Sequence, residues 1–353
     1  MKTRRAFTLV EILTVIAIIG ILAALVTLAV AGAMRAVKRG KIAVEMNEIA
    51  MALGHYKAEF GEYPPDMYDN EVLVRHVKKR WPRLDWARTE AMLVTAGIPF
   101  PGGFATTTDK EAWLIKRAIS LTYGNGVDFT RSPHPHALGA LPLWLGGFPN
   151  SDGKFSGFFA DPECPFLSDE PLNDRKHDNA FFLTIQLGKN AWFAPTGLPG
   201  RIGGGPIGSD NGSSGGPIPR DLVPAIGVEI QGHFLPFQYF RGKASGGDDA
   251  YKIGGEIKQC YLIFDGPDDV SWGVPYAKSV DAAGIITWHN ADTYQLIHPG
   301  LDRKFSLIIP RTGVDRPGPP ALRVTSTGTG FNPEDLDNLT NFSDYKELKS
   351  ILP

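Results

Sequence analysis

The chain has 353 residues, a formal net charge of −2 and 43% hydrophobic residues. The near-neutral charge argues against a nucleic-acid-binding protein, which normally carries a clear basic excess. The length suits a membrane anchor followed by one elaborated domain, and the 40 glycines and 28 prolines predict that this domain is rich in loops.

The first predicted element is an apolar helix behind a basic leader. Lys2, Arg4 and Arg5 come first, and the 23 residues from Ile12 to Met34 carry no charge. At 1.5 Å per residue, a helix of that length spans about 34 Å, which is enough to cross a bilayer. The basic flank predicts a cytoplasmic N-terminus and an extracytoplasmic position for everything after Met34.

Three interpretations of this segment compete. The first is a cleaved secretory signal, which Ala31-Gly32-Ala33 would fit as the cleavage site and Arg4-Arg5 as a twin-arginine motif. The apolar core of such a signal is normally shorter than the 23 residues found here. A plain membrane anchor gives no reason for Glu11, because a carboxylate at that depth costs a few kcal/mol unless it has a partner. The third interpretation supplies a partner.

The stretch FTLVEILTVIAIIGILAAL at residues 7–25 resembles the N-terminal motif of type IV pilins and type II secretion pseudopilins. The resemblance implies that a prepilin peptidase cuts between Ala6 and Phe7, releases residues 1–6 as a cytoplasmic leader, and methylates the new N-terminus. The family usually has Gly where this chain has Ala6. The resemblance also implies that Glu11, the fifth mature residue, pairs with the N-terminal amine of a neighbouring subunit during assembly.

The helix is predicted to continue beyond the membrane. A basic collar follows the apolar segment: Arg35, Lys38, Arg39 and Lys41. Apolar residues then recur at helical spacing, which indicates an amphipathic helix with one buried stripe: Ile42, Met46, Ile49, Leu53, Tyr56 and Phe60. Gly61 and Pro64-Pro65 predict its end. We therefore divide the predicted helix into a transmembrane part over residues 7–34 and an amphipathic extension over residues 35–62.

A second motif marks the end of this helix. The stretch IAMALGHYKAEFGEYPPD at residues 49–66 resembles the corresponding segment of major, G-type pseudopilins of type II secretion. The matching positions are Ala52-Leu53, Tyr56-Lys57, Gly61 and Tyr63-Pro64. This segment combines aromatic residues on one face of the helix, a glycine that ends the helix, and a Tyr-Pro turn.

The remaining residues, 63–353, are predicted to form an extracytoplasmic head, and the fold class is α+β with an antiparallel sheet. Residues 71–96 read as helix, and residues 137–145 as a short apolar helix or strand. Predicted strands cover residues 179–188, 233–242, 258–266 and 292–300. The two stretches LPFQYFRG and TYQLIHPGLDRKFS resemble the late strands of a major pseudopilin head. Large loop-rich insertions are expected over about 67–232 and 243–290.

Two further sites are candidates. In the resembling family the second late strand leads into a calcium-binding loop, so Asp302, Asp335 and Asp337 are candidate calcium ligands, and carboxylates are the ligands that calcium prefers. The alternative is that these acids solvate a loop or cap turns. Cys164 and Cys260 would form one disulfide in an oxidising compartment, or remain two buried free thiols.

The sequence therefore predicts a non-enzymatic filament subunit that spans the inner membrane once. The resemblance implies other pilin or pseudopilin subunits, a prepilin peptidase, a membrane platform protein and an assembly ATPase as partners, with no nucleic acid. Calcium is the single candidate cofactor. The alternative is a membrane-anchored extracytoplasmic enzyme or binding module that works through its insertions.

Overall fold

The computed structural model describes residues 9–123, 129–130, 136–148, 155–170, 176–177, 225–230, 233–243, 245–258, 260–263, 270–302, 305, 322–331 and 333–353. Ala6, Phe7 and the predicted strand at 179–188 lie outside the described residues.

The first element is one continuous helix, α1, which runs over Leu9–Phe60 and is 52 residues long. The predicted apolar stripe is confirmed in its second half, where five members are at most 1% exposed: Ile42, Met46, Ile49, Leu53 and Tyr56. Phe60 is partly buried against the same core. The helix therefore docks on the head along the face that its 3.6-residue period predicts.

Four further helices follow: α2 (Asn70–Arg80), α3 (Trp86–Thr95), α4 (Thr107–Tyr123) and α5 (His136–Gly146). The carboxylate of Asp69 accepts the free amides of Glu71 and Val72 at the start of α2, and Asp85 accepts the amide of Arg88 in α3. These caps fix both helices inside the predicted helical region. α4 packs against both α2 and α3.

The apolar segment at 137–145, for which the sequence left helix and strand open, is the helix α5. Its described side chains from Leu138 to Phe148 are all buried. A helix that is apolar on all sides must be buried on all sides, and α5 contacts both α1 and the strand β3 (Gln238–Arg241). It lies at the centre of the core in spite of the internal Pro142.

Eleven short strands lie in the described part: β1 (Gly227–Ile230), β2 (His233–Pro236), β3 (Gln238–Arg241), β4 (Lys252–Ile253), β5 (Glu256–Ile257), β6 (Cys260–Ile263), β7 (Val270–Gly273), β8 (Ala277–Val280), β9 (Ile286–Trp288), β10 (Tyr294–His298) and β11 (Leu339–Thr340). They form four two-stranded hairpins and a three-stranded sheet of order β11-β10-β3. Every strand pair is antiparallel, which confirms the α+β class with an antiparallel sheet.

The predicted strand at 233–242 is two strands with different partners. β2 pairs with β1, and Gly227 lies opposite Pro236. β3 pairs with β10, and Tyr294 lies opposite Arg241. The chain changes sheets at Phe237, whose amide donates to the carbonyl of Ile226.

Candidate functional site: the N-terminal helix and its junction with the head

The first half of α1 is apolar and uncovered. All its described side chains from Leu9 to Val37 are exposed, and the most apolar 18-residue window has a mean hydropathy of 2.9 with 0% of it buried. By length and composition this helix can cross a membrane. The core helix of a soluble protein passes the same test, but such a helix is buried, whereas this one is not.

The polar side chains in this half fit an apolar environment. Thr14 Oγ1 donates to the carbonyl oxygen of Val10 at 2.8 Å, and Thr27 Oγ1 donates to that of Ala23 at 2.7 Å. Both hydroxyls are therefore satisfied within the helix, as hydrocarbon requires. Glu11 lies in the first turn and is exposed on the same uncovered surface.

Two members of the basic collar hold the head immediately beyond the apolar half. Arg39 pairs with Glu347 near the C-terminus at 2.5 Å, and Lys41 Nζ donates to the backbone carbonyl of Glu229 in β1 at 2.9 Å. The head thus begins within about two helical turns of Met34, where the apolar segment ends.

The motif that ends α1 has a structural role at each described position. Gly61 has φ +76° and donates its amide to the carbonyl of Lys57, so it ends the helix in a conformation that glycine adopts without strain. The Tyr63 ring packs on Tyr294 of β10, with the centroids 4.9 Å apart. The carbonyl of Pro64 accepts the hydroxyl of Tyr239 at 2.7 Å. The turn is therefore fixed against the β3-β10 pair.

A largely buried set of charged and polar side chains, here called the junction network, lies at this turn: Glu62, Asp66, His76, Arg241 and Lys258. The Glu62 carboxylate accepts Arg241 Nη2 at 2.8 Å. Asp66 Oδ2 accepts Lys258 Nζ at 2.6 Å and the amide of Arg241 at 2.8 Å. The side chains of Asp66 and Lys258 are each 2% exposed. The network joins the end of α1 to β3 and to the segment after β5.

His76 extends this network to α1 itself. Although burial opposes it, hydrogen bonds from His76 and Arg241 lower the pKa of Glu62 far below its usual range, so this carboxylate only accepts. His76 Nδ1, 3.1 Å from Glu62, must then carry the proton, and Nε2 accepts the hydroxyl of Tyr56 at 2.7 Å. Burial lowers the pKa of His76 against the opposing effect of Glu62, which keeps the ring neutral.

The sequence prediction missed the junction network. Glu62 and Asp66 lie in a Pro-rich turn and read as turn residues, while Arg241 and Lys258 lie more than one hundred and seventy positions further on. The only sequence signal for this network was the group of acidic residues around Pro64-Pro65. That group does not indicate which basic residues, far along the chain, pair with it.

Two of the three candidate calcium ligands, Asp335 and Asp337, have contacts inside the head. Asp335 is fully buried and pairs with Arg323 Nε at 3.0 Å. Asp337 Oδ2 accepts the amides of Leu301 and Asp302 at 2.8 and 3.1 Å. Among the described residues, no three His, Cys, Asp or Glu side chains come together as a metal-binding group. Asp335 and Asp337 thus have partners within the protein, and calcium binding at Asp302, Asp335 and Asp337 stays a prediction of the sequence resemblance.

For Cys164 and Cys260 the sequence left open one disulfide or two buried free thiols, and the structure describes the side chain of Cys164. Its thiol is free and buried, and Sγ lies 3.4 Å from Met92 Sδ. Burial raises the pKa of this thiol, so it behaves as a small apolar group in the core. The side chain of Cys260 lies outside the described part of the structure.

Comparison with known proteins gives one match. Residues 1–27 match a family model described as the prokaryotic N-terminal methylation motif. No curated protein matches the chain, and no solved structure does. The motif implies processing by a prepilin peptidase and pilin-like assembly, and together with the uncovered apolar helix it suggests anchoring in the inner membrane. The chain therefore carries an N-terminal methylation motif of the type found in type IV pilins and pseudopilins, and most of this motif lies within the long helix α1.

Proposed function

We propose that the chain is a structural subunit of a filament that is assembled from the inner membrane, either a type II secretion pseudopilus or a type IV pilus-like filament. One observation carries this proposal. The methylation motif at residues 1–27 overlaps α1 from Leu9 onward, and the head leaves the apolar half of this helix uncovered.

An uncovered apolar helix needs a partner at every stage. Before assembly, the bilayer covers it. After extraction, only other apolar helices can replace the lipid, because exposing large apolar side chains to water costs about 1.5–3 kcal/mol each. Such side chains are frequent along this half and include Leu9, Ile16, Leu22 and Val30. A filament core of packed helices is the environment that this surface requires.

Among filament classes we favour the secretion pseudopilin of the major, G type. The helix-ending motif supports it, since its residues fix the turn against β3 and β10, and these are the two strands that resemble the late strands of that head. In this proposal the N-terminus is cytoplasmic, the head is extracytoplasmic, and a platform protein and an assembly ATPase extract the subunit. The role is structural rather than enzymatic.

Glu11 provides the experiment. We expect Glu11→Leu to enter the membrane with a folded head but to be absent from filaments, because the carboxylate that pairs with the neighbouring N-terminal amine is missing. Val15→Leu, one turn along the same exposed surface, is the matched control and should assemble normally. The measurement is the amount of subunit in sheared filaments relative to membranes, with protease resistance of the head as the test of folding.

The outcome separates the proposal from an anchored enzyme or binding module. For a plain anchor, Glu11→Leu is harmless or improves insertion. Normal filament content in Glu11→Leu would contradict the assembly role of Glu11.

A further inference from the structure

The described helices bring a lysine amine, a side-chain amide and a carboxylate into one hydrogen-bonded chain. Lys116 Nζ in α4 lies 2.8 Å from Asn70 Oδ1 at the start of α2. Asn70 Nδ2 donates to Asp109 Oδ1 in the first turn of α4 at 2.9 Å. The amide orientation is fixed by chemistry, because an ammonium only donates and a carboxylate only accepts. The carbonyl therefore points at the amine and the nitrogen at the acid.

Lys116 is in an unusual position for a lysine. The residue is 8% exposed, and buried lysines normally face a carboxylate directly. Here the hydrogen bond goes to a neutral amide, while the surrounding acids Asp66, Asp69 and Asp109 act on the amine only as nearby charges. Burial lowers the pKa of Lys116 to about 8 against those charges, so a substantial share of the amine is neutral and nucleophilic in mildly alkaline conditions.

We propose that Lys116 and Asn70 form an intramolecular amide crosslink that joins α4 to α2, with Asp109 as the proton-transferring group. The Lys116 nitrogen attacks Cγ of Asn70 and a C–N bond forms. The bond between Cγ and Nδ2 breaks, and ammonia leaves. One proton passes from the attacking nitrogen to the leaving nitrogen, and Asp109 Oδ1 already lies within hydrogen-bonding distance of the nitrogen that receives it. No oxidant, reductant or further reactant is needed.

Asp109 is held in place for this role. Thr106 Oγ1 donates to Asp109 Oδ2 at 2.8 Å and accepts the Asp109 amide at 3.0 Å, so the start of α4 fixes the carboxylate through a reciprocal cap. The hydrogen bonds from Asn70 and Thr106 lower the pKa of Asp109, so the carboxylate is ionised before the reaction and can carry the proton from the attacking to the leaving nitrogen. The crosslink would hold α2 and α4 together when the filament is under load.

The test is intact mass and tryptic mapping of the full-length protein in detergent, after incubation at pH 9. Trypsin does not cleave after an acylated lysine, so the product is a branched peptide that joins residues 58–75 to residues 111–117. We expect this peptide together with an intact mass that is lower by one ammonia. Lys116→Met and Asn70→Asp keep the side-chain size and should lose both signals. Lys110→Met on the same helix should keep the loss of one ammonia, and because it removes the cleavage site after residue 110, its branched peptide should contain residues 89–117 in place of 111–117.

Asp109→Asn tests the proton transfer, and we expect it to slow crosslinking by roughly 10²-fold. Since loss of the cap also affects folding, the rate is compared with that of Thr106→Val, which loses the same cap but keeps the carboxylate. Wild-type protein with the full mass and two separate peptides after incubation would overturn the proposal. Loss of ammonia from another asparagine, without the branched peptide, would also overturn it.

Discussion

At the scale of single residues, the ion pair of Asp66 and Lys258 joins the turn after α1 to the segment after β5. Lys258 Nζ also donates to the backbone carbonyl of Arg241 at 2.6 Å, and Asp66 accepts the amide of the same residue. Both charges are almost completely removed from water. Removing one member of such a pair is strongly destabilising, because it leaves the other charge buried without a counter-charge.

Asp66→Asn should therefore destabilise the head strongly. It leaves the Lys258 ammonium buried without its counter-charge, and the expected loss of unfolding free energy is about 3–5 kcal/mol. The measurement is denaturant unfolding of the full chain in detergent. Asp249→Asn, at an exposed position, is the control and should stay within about 0.5 kcal/mol of wild type. If the two substitutions changed the unfolding free energy equally, the ion pair of Asp66 and Lys258 would make no contribution to the stability of the head.

His298 gives the head a defined pH dependence. Burial lowers the pKa of His298 to about 3, against the hydrogen bond with Leu235, while the unfolded chain keeps a value near 6.5. Between these values the unfolded state binds one more proton than the folded state, so stability falls as the pH falls. The slope per histidine is about 1.4 kcal/mol per pH unit.

We therefore expect His298→Gln to flatten the decline of stability between about pH 6 and pH 4. The measurement is the unfolding free energy of both proteins over this range. His289, whose pKa burial and Lys278 lower to about 4, remains in both proteins and adds the same slope to each. Identical slopes for the variant and wild type would contradict the assignment to His298.

At the scale of elements, the second half of α1 has one buried face and one exposed face, and residues half a turn apart differ sharply in exposure. Ile49 is 1% exposed, while Met51 is 58% exposed. The sequence predicted this face because the apolar spacing alone determines which side of a helix can be buried.

The matched pair Ile49→Ala and Met51→Ala tests this face. Ile49→Ala should lower the unfolding free energy by about 2–5 kcal/mol, because it leaves a cavity in the core. Met51→Ala should change it by no more than about 0.5 kcal/mol. Both are measured in the same denaturant experiment. A larger effect at Met51 than at Ile49 would place the opposite face of α1 on the head.

Local signals predicted other elements unevenly. Residues 71–96 were predicted as helix from their sequence pattern, and the structure adds the caps of α2 and α3 at Asp69 and Asp85. α4 was missed, although Thr106 and Asp109 form a capping box at its start. The division of residues 233–242 into two strands depends on pairing with partners far apart in the chain, at β1 and β10. No local pattern encodes a choice between distant partners.

At the scale of the whole molecule, one helix lies in two environments. Its first half is exposed along its length, and its second half forms one side of the head core. Contacts of Arg39 and Lys41 hold the head near the apolar half, and the junction network holds it at the other end of α1. The head is therefore attached to the helix at two levels, which suits a subunit that is pulled along its helix axis.

The most direct test of the filament-subunit proposal is the N-terminus of the protein isolated from native membranes, determined by intact mass and N-terminal peptide mapping. Our account predicts a chain that starts at Phe7 and carries a methyl group on its amine, as cleavage after Ala6 by a prepilin peptidase produces. A chain that starts at Met34, after signal cleavage, or that still starts at Met1, would contradict it.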